Sequence, residues 1–257
     1  MNKAIRPFIL AETNWKAVKE TDFELAILPW GATEAHNYHM PYATDNYQVD
    51  HIAYKSAEIA WNKGAKVIVL PTIPFGVNTG QLDIPLCMNM NPSTQVAILK
   101  DVCEVLSLHK IQKLVILNGH GANNFVSIIR ELAGIYPNLF VSVVNWFQAA
   151  PKDDIFENKG DHADEMETSV MMHLYPHLLL PIADAGDGKT KKFTPQGFQQ
   201  GWAWTQRPWS KTTNDTGSGD PSLSSPEKGL KFLERCIGQI AEFYIELSGK
   251  EIVALLK

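Results

Sequence analysis

The order of the predicted elements points to one α/β domain built on a mainly parallel sheet. Three observations support that expectation. Four short apolar runs, at 25–29, 66–70, 113–118 and 139–145, have the length and composition of buried strands. Segments with helical periodicity separate them, so each strand returns to the sheet through a right-handed crossover. No linker or internal repeat divides residues 1–257, and a chain of that length buries a sizeable core.

In chain order, residues 12–20 read as a short helix, with Thr13 a candidate N-cap and Trp15 and Val18 on one face. The first strand ends at a Pro29 and Gly31 break, and a polar loop follows from Glu34 to Asp45. Asp45 is placed to cap a helix that runs to about residue 63, with Val49, Ile52, Ala53, Ala57 and Ala60 as its apolar stripe. Gly64 stops this helix before the second strand. Residues 71–92 form a loop rich in Pro, Gly and Asn, long enough to suggest a functional role. A helix at 93–109 leads to the third strand. The turn Asn118-Gly-His-Gly-Ala-Asn-Asn124 then opens a helix to about 135, and the fourth strand follows. Another helix lies within 161–175, stopped by Pro176. Residues 184–226 read as loops with short strands, and a helix at 226–248 closes the fold.

Bulk properties remove several function classes. Twenty-three basic against 28 acidic side chains give a net charge of −5, which argues against a nucleic-acid-binding surface. No apolar run reaches membrane-span length, and the first residues lack the apolar core of a secretory signal, so a cytoplasmic protein with no membrane partner is expected. Cys87, Cys103 and Cys236 are odd in number and widely spaced, which fits neither a disulfide framework nor a zinc knuckle.

Metal-ligand residue types recur just after the strands. Glu34, His36, His39 and Asp45 follow the first, His120 follows the third, and Asp161-His-Ala-Asp-Glu-Met-Glu167 follows the fourth. In a parallel sheet all three segments reach one edge, where such folds bind ligands. Carboxylates and imidazoles suit a divalent metal, and Asp45 is placed to bridge two. Each residue also has a plainer role: His39 as a packing or turn-capping residue, Glu165 and Glu167 as carboxylates favoured at a helix start. Glycines on both sides of His120 permit close approach of the backbone.

The stretches Leu28-Pro-Trp-Gly-Ala-Thr-Glu-Ala-His36, His39-Met-Pro-Tyr-Ala-Thr-Asp45, Asn118-Gly-His-Gly-Ala-Asn123, His162-Ala-Asp-Glu-Met-Glu-Thr-Ser169, and Gly219-Asp-Pro with Pro226-Glu-Lys-Gly229 resemble, in order, those of the creatininase (creatinine amidohydrolase) family. The resemblance implies a three-layer α/β/α sandwich and two divalent ions per chain (Zn, Mn or Fe) that hydrolyse a C–N bond of a cyclic or related small amide with metal-activated water. By position, Glu34, Asp45 and His120 would hold one ion, and His36 and Asp45 the second. The creatinine-hydrolysing branch completes the second site with a Glu where this chain has Ala122; the expected replacement is Glu165, with Glu167 as fallback. His162 matches the catalytic proton shuttle, and backbone N–H groups of residues 119–121 are candidates for an oxyanion hole. Asn78, Gly121, Asp161, Trp202 and Trp204 are the expected substrate contacts, although a Trp-rich loop suits a subunit contact equally well. The resemblance also implies a homo-oligomer, possibly a hexamer. The segment before His162 lacks the Trp residues of the creatinine branch, so creatinine is not the expected substrate. The alternatives are a formamide hydrolase acting on a formylamino-pyrimidine-type compound and a catalytically silent metal-binding relative.

Overall fold

Alternation along the central strands divides the core into two layers. In β1 (Leu25–Trp30), Leu25 and Ile27 pack on one side, and Ala26, Leu28 and Trp30 on the other. β3 (Lys113–Asn118) repeats the pattern, with Val115 and Leu117 opposite Leu114 and Ile116. A strand buried on both faces needs helices above and below it. The structure, a computed structural model describing residues 5–256, supplies them.

After the short α1 (Trp15–Lys19), helix α2 (Thr44–Asn62) covers one face, together with α5 (Glu165–Leu174) and α8 (Pro226–Ser248). Val49, Ile52, Phe232, Cys236, Ile240 and Tyr244 fill that layer. On the other face, α3 (Pro92–Leu108) and α4 (Phe125–Ile135) contribute Leu99, Cys103, Phe125, Ile128 and Leu132. With β2 (Val67–Val69) and β4 (Phe140–Asn145), the sheet runs β2-β1-β3-β4, every pair parallel. The result is the expected α/β/α sandwich. From β1 the chain crosses to one edge, and from β3 to the other. The crevice beyond the carboxyl ends of β1 and β3 is therefore the topological switch point, where open α/β sheets bind ligands.

Three local expectations are corrected. Asn14, not Thr13, caps α1 through its side-chain oxygen. The N-cap of α2 is Ala43, and Asp45 sits in the first turn with its carboxylate directed at imidazoles instead of backbone N–H groups. Between 184 and 226 there are two one-turn helices, α6 (Gln196–Gln199) and α7 (Trp209–Thr212), and single bridges in place of strands. Side chains organise that segment: Asp215 accepts the N–H groups of Gly188 and Gly217, and Asn37 makes two bonds to the backbone of Gly186. No helix among the described residues is long and apolar enough to cross a membrane.

Candidate metal centre

The loop after β1 carries Glu34 and His36, the first turn of α2 carries Asp45, and the turn after β3 carries His120. All four are at least 95% buried. Gly119 lets α2 approach this turn: a Cβ there would lie 3.0 Å from the Val49 Cβ and 3.1 Å from the Asp45 carbonyl oxygen. An amide network fixes the His120 backbone, because Asn118 Oδ1 accepts from the His120 N–H while Asn118 Nδ2 donates to the His120 carbonyl. Asn123 Nδ2 adds a further bond to Asn118 Oδ1.

Each histidine spends one ring nitrogen on a backbone carbonyl. His36 Nδ1 bonds Glu34 O at 3.1 Å, His120 Nε2 bonds Val77 O at 3.1 Å, and His162 Nε2 bonds Ala35 O at 2.8 Å. A carbonyl only accepts, so these nitrogens carry protons, and the opposite nitrogens are the ones that can offer a lone pair to a metal once deprotonated. The free nitrogens all face carboxylates. His120 Nδ1 lies 2.9 Å from Glu34 Oε1 and 3.0 Å from Asp45 Oδ2, His36 Nε2 lies 3.1 Å from Asp45 Oδ1, and His162 Nδ1 lies 3.7 Å from Glu34 Oε1. Glu34 Oε1 and Asp45 Oδ2 are nevertheless buried without a hydrogen-bond partner. Lone pairs that converge in a buried space call for a cation. The residues fit a divalent metal.

The same contacts set the electrostatics. Burial works against the His36 imidazolium, yet Asp45 and Glu34 outweigh it and push its pKa up to about 10. His120 is raised well above the usual imidazole range against burial, by Glu34 and Asp45. Burial would raise Glu34 and Asp45, but the imidazoles hold both carboxyls below their ordinary values. His162 is lowered by burial and by neighbouring His36, which keeps it neutral.

The donor atoms fall into three overlapping groups: Glu34 with Asp45 and His120, His36 with Asp45 and Glu167, and Glu34 with His36 and His162. Asp45 belongs to the first two groups and turns one oxygen to His120 and the other to His36. Such a carboxylate is placed to bridge two ions.

Glu165 is not in this cluster. It is fully buried on the far side of α5, where Oε2 accepts the N–H groups of Glu157 and Asn158 and Oε1 pairs with Lys228 at 2.5 Å. Residues two apart on a helix point about 200° apart, so Glu167 faces His36 and Asp45 instead. The reason is tertiary. Gly229 brings α8 against α5, where a Cβ would lie 2.1 Å from the Ser169 carbonyl oxygen, and Lys228 then meets Glu165. Burial and the neighbouring Asp45 and Asp164 push Glu167 up to about 8, against the pull of His36. His39 also lies outside the three groups; its Nε2 bonds Thr168 Oγ1 at 2.9 Å.

The expected substrate contacts divide. Asp161 is exposed beside His162 and takes a two-bond grip from Arg207. Asn78 is buried and donates to the Met88 carbonyl. Gly121 is exposed with open space around it, whereas the N–H groups of Gly119 and His120 are spent on Trp30 O and Asn118 Oδ1 and are lost to an oxyanion hole. Trp202 and Trp204 are 76% and 84% exposed; Trp202 lies over Gly197 and bonds Gln200. The indole that meets His162 is Trp209, edge-on at 4.8 Å, with Arg207 stacked on it at 4.6 Å. Composition marks the Trp-rich loop but not which indole turns inward. Gln81, which donates to Glu34 Oε2, carries no sequence signal at all.

A parallel α/β sandwich thus carries, at its switch point, a buried carboxylate–imidazole cluster that fits a divalent metal. The chain belongs to the creatininase family: the family's profile, described as creatinine amidohydrolase, matches residues 11–244. Among curated relatives it is 26% identical to a creatinine amidohydrolase of Pseudomonas putida, over 84% of this chain and 86% of that one. It is 27% identical to a 3-dehydro-scyllo-inosose hydrolase of Thermotoga maritima, over 68% of this chain and 57% of that one. A putative creatinine amidohydrolase from Bacteroides fragilis superposes with a TM-score of 0.90 at 40% identity, covering 98% of this chain and 99% of that chain. More distant solved creatininases include a manganese form (25% identical, TM-score 0.73, 93% and 98% covered) and a zinc form (24%, 0.75, 93% and 97%). The relatives are hydrolases.

Proposed function

We propose that this chain is a dinuclear metal-dependent amidohydrolase that opens a cyclic amide or cleaves a related small amide. The observation that carries the reading is Asp45, whose two oxygens serve two different imidazoles, each within its own ligand group. Glu34, Asp45 and His120 would hold one ion, and His36, Asp45 and Glu167 the other. Bound there, a divalent pair supplies an activated water and polarises the substrate carbonyl. The protein's own part centres on His162. Its Nε2–H is held by the Ala35 carbonyl, so Nδ1 is free to accept a proton and return it to the leaving nitrogen. Trp209 walls one side of His162, and the Arg207–Asp161 pair braces that wall. Zinc and manganese are the ions named for the solved creatininases, and either suits this donor set.

The test is a panel of five- and six-membered cyclic amides, linear formamides and creatinine, with wild type and His162→Ala, each with measured metal content. Ring opening by wild type and its loss in the metal-loaded variant support the reading. Turnover unchanged in His162→Ala would overturn it. Formate release would redirect the assignment to a formamide. A second reading follows from the inosose hydrolase relative, whose substrate by name is a cyclic keto-polyol. The same centre would then act on a ring ketone, and keto-polyols belong in the panel. A homo-oligomer is proposed on the family resemblance, with light scattering as its test.

A further inference from the structure

The loop between β2 and α3 reaches the centre through the Val77 carbonyl, on His120, and through the Gln81 side chain. Gln81 is 2% exposed, in a 3₁₀ turn at Thr79–Gln81, and its Nε2 donates to Glu34 Oε2. A carboxylate only accepts, so the amide turns its Nε2 to Glu34 and leaves Oε1 in need of a donor. Cys87 supplies it. Its Sγ–H donates to Gln81 Oε1 at 3.2 Å, while the Ala35 N–H donates to the same sulfur at 3.2 Å. The thiol bond on Oε1 supports the orientation in which Nε2 meets Glu34. The bond to Glu34 engages its Oε2 and leaves its Oε1, which has no hydrogen-bond partner, as the oxygen facing His120 and His162.

We infer that Gln81, oriented by Cys87, is a positioning residue that holds Glu34 as a one-oxygen metal ligand. The chain of contacts runs Ala35 N–H, Cys87, Gln81, Glu34, and it starts and ends on adjacent residues of the β1 loop. It thereby ties the loop of residues 71–92 to the metal centre. The late segment braces the same turn: a Cβ on Gly80 would lie 2.1 Å from the Arg207 carbonyl oxygen, and Ser210 donates to Asp83. The inference rests on the metal-centre reading, and its test separates the two.

Metal-free wild type, Gln81→Leu, Cys87→Ala and Cys87→Ser are titrated with Co²⁺ and with Zn²⁺ against a chromophoric chelator, and their metal-free melting temperatures are recorded. Loss of a side chain that orients a metal ligand costs about 10–100-fold in affinity. Gln81→Leu is expected to lose that much for one ion of the pair and to alter the visible Co²⁺ spectrum, because Glu34 Oε2 becomes free to coordinate. Cys87→Ala should lose less, and Cys87→Ser, which keeps a donor, should restore most of it. Two ions bound by Gln81→Leu with wild-type affinity and spectrum would overturn the inference and leave the metal centre standing. No ion bound by wild type would overturn both. A fall in affinity accompanied by an equal fall after Cys87→Ser would refute the part assigned to the thiol.

Discussion

Glu165 and Glu167 offer a sharp test, because one helix turn presents both and the structure gives them opposite tasks. Glu165→Ala removes a buried carboxylate that serves two backbone N–H groups and the Lys228 ammonium. Lys228 keeps the Leu223 carbonyl and Glu157, but leaving the two N–H groups without their acceptor costs about 2–4 kcal/mol. At about 2–4 °C per kcal/mol for a domain of this size, the melting temperature should fall on the order of 10 °C. The proposed metal ligands stay in place, so on the dinuclear reading metal content should stay near two per folded chain. Glu167→Ala should do the reverse. Its carboxyl is held up to about 8 by burial and by Asp45 and Asp164, and relief of that unfavourable environment offsets loss of the bond it accepts from the Ala163 N–H, so metal-free stability should change little. The second ion, however, keeps only His36 and Asp45, and metal content should fall towards one. Elemental analysis of both variants after dialysis, beside thermal melts of the metal-free forms, reads out the contrast. An ion lost from Glu165→Ala and kept by Glu167→Ala would refute the reasoning.

Metal binding should release protons, because Glu167 at about 8, His36 at about 10 and the raised His120 must each give one up. Affinity should climb by about tenfold per unit for each proton released as pH rises from 6.5 to 8.5, and a flat profile in chelator competition would count against the ligand set. The folded-state values for Glu167 and His36 lie above their ordinary values of 4.5 and 6.5, so the folded chain holds more protons than the unfolded one in this range. Metal-free stability should therefore fall from pH 6.5 to 9, and the gap in melting temperature between loaded and metal-free protein should widen; a gap that narrows contradicts the assignment. Gly119→Ala forces a Cβ against Val49 and the Asp45 carbonyl. It should cost about 1–3 kcal/mol in denaturant unfolding, and a neutral result would mean that α2 can retreat from the centre. Trp209→Ala should lower turnover about 5–50-fold with both ions retained, since the indole touches His162 and no ligand group includes it. Loss of an ion would place Trp209 in the wrong role.

Much of this molecule is legible in the order of its residues. Strand and helix runs are local, and their alternation dictates parallel crossovers, so the parallel sheet and the edge where Glu34, His36, Asp45 and His120 meet follow from pattern, while the three-layer sandwich was implied by the family resemblance. The motif Asn118-Gly-His-Gly-Ala-Asn123 is legible for the same reason: its two amides hold the turn they form. What stayed hidden depends on how separate elements are rotated against each other. Glu165 and Glu167 are equivalent as first-turn carboxylates, and only the contact of α8 with α5 at Gly229 sends one to Lys228 and the other to His36. Trp202, Trp204 and Trp209 are alike in composition, and only the docking of their loop over Gly80 turns Trp209 towards His162. Gln81 carries no pattern, because its task is a single bond to a residue 47 positions away. Sequence determined the elements and the edge they share, through interactions a few residues long; tertiary packing decided which of several equivalent side chains enters the site, because helix phase and loop docking are set by contacts that no local spacing encodes.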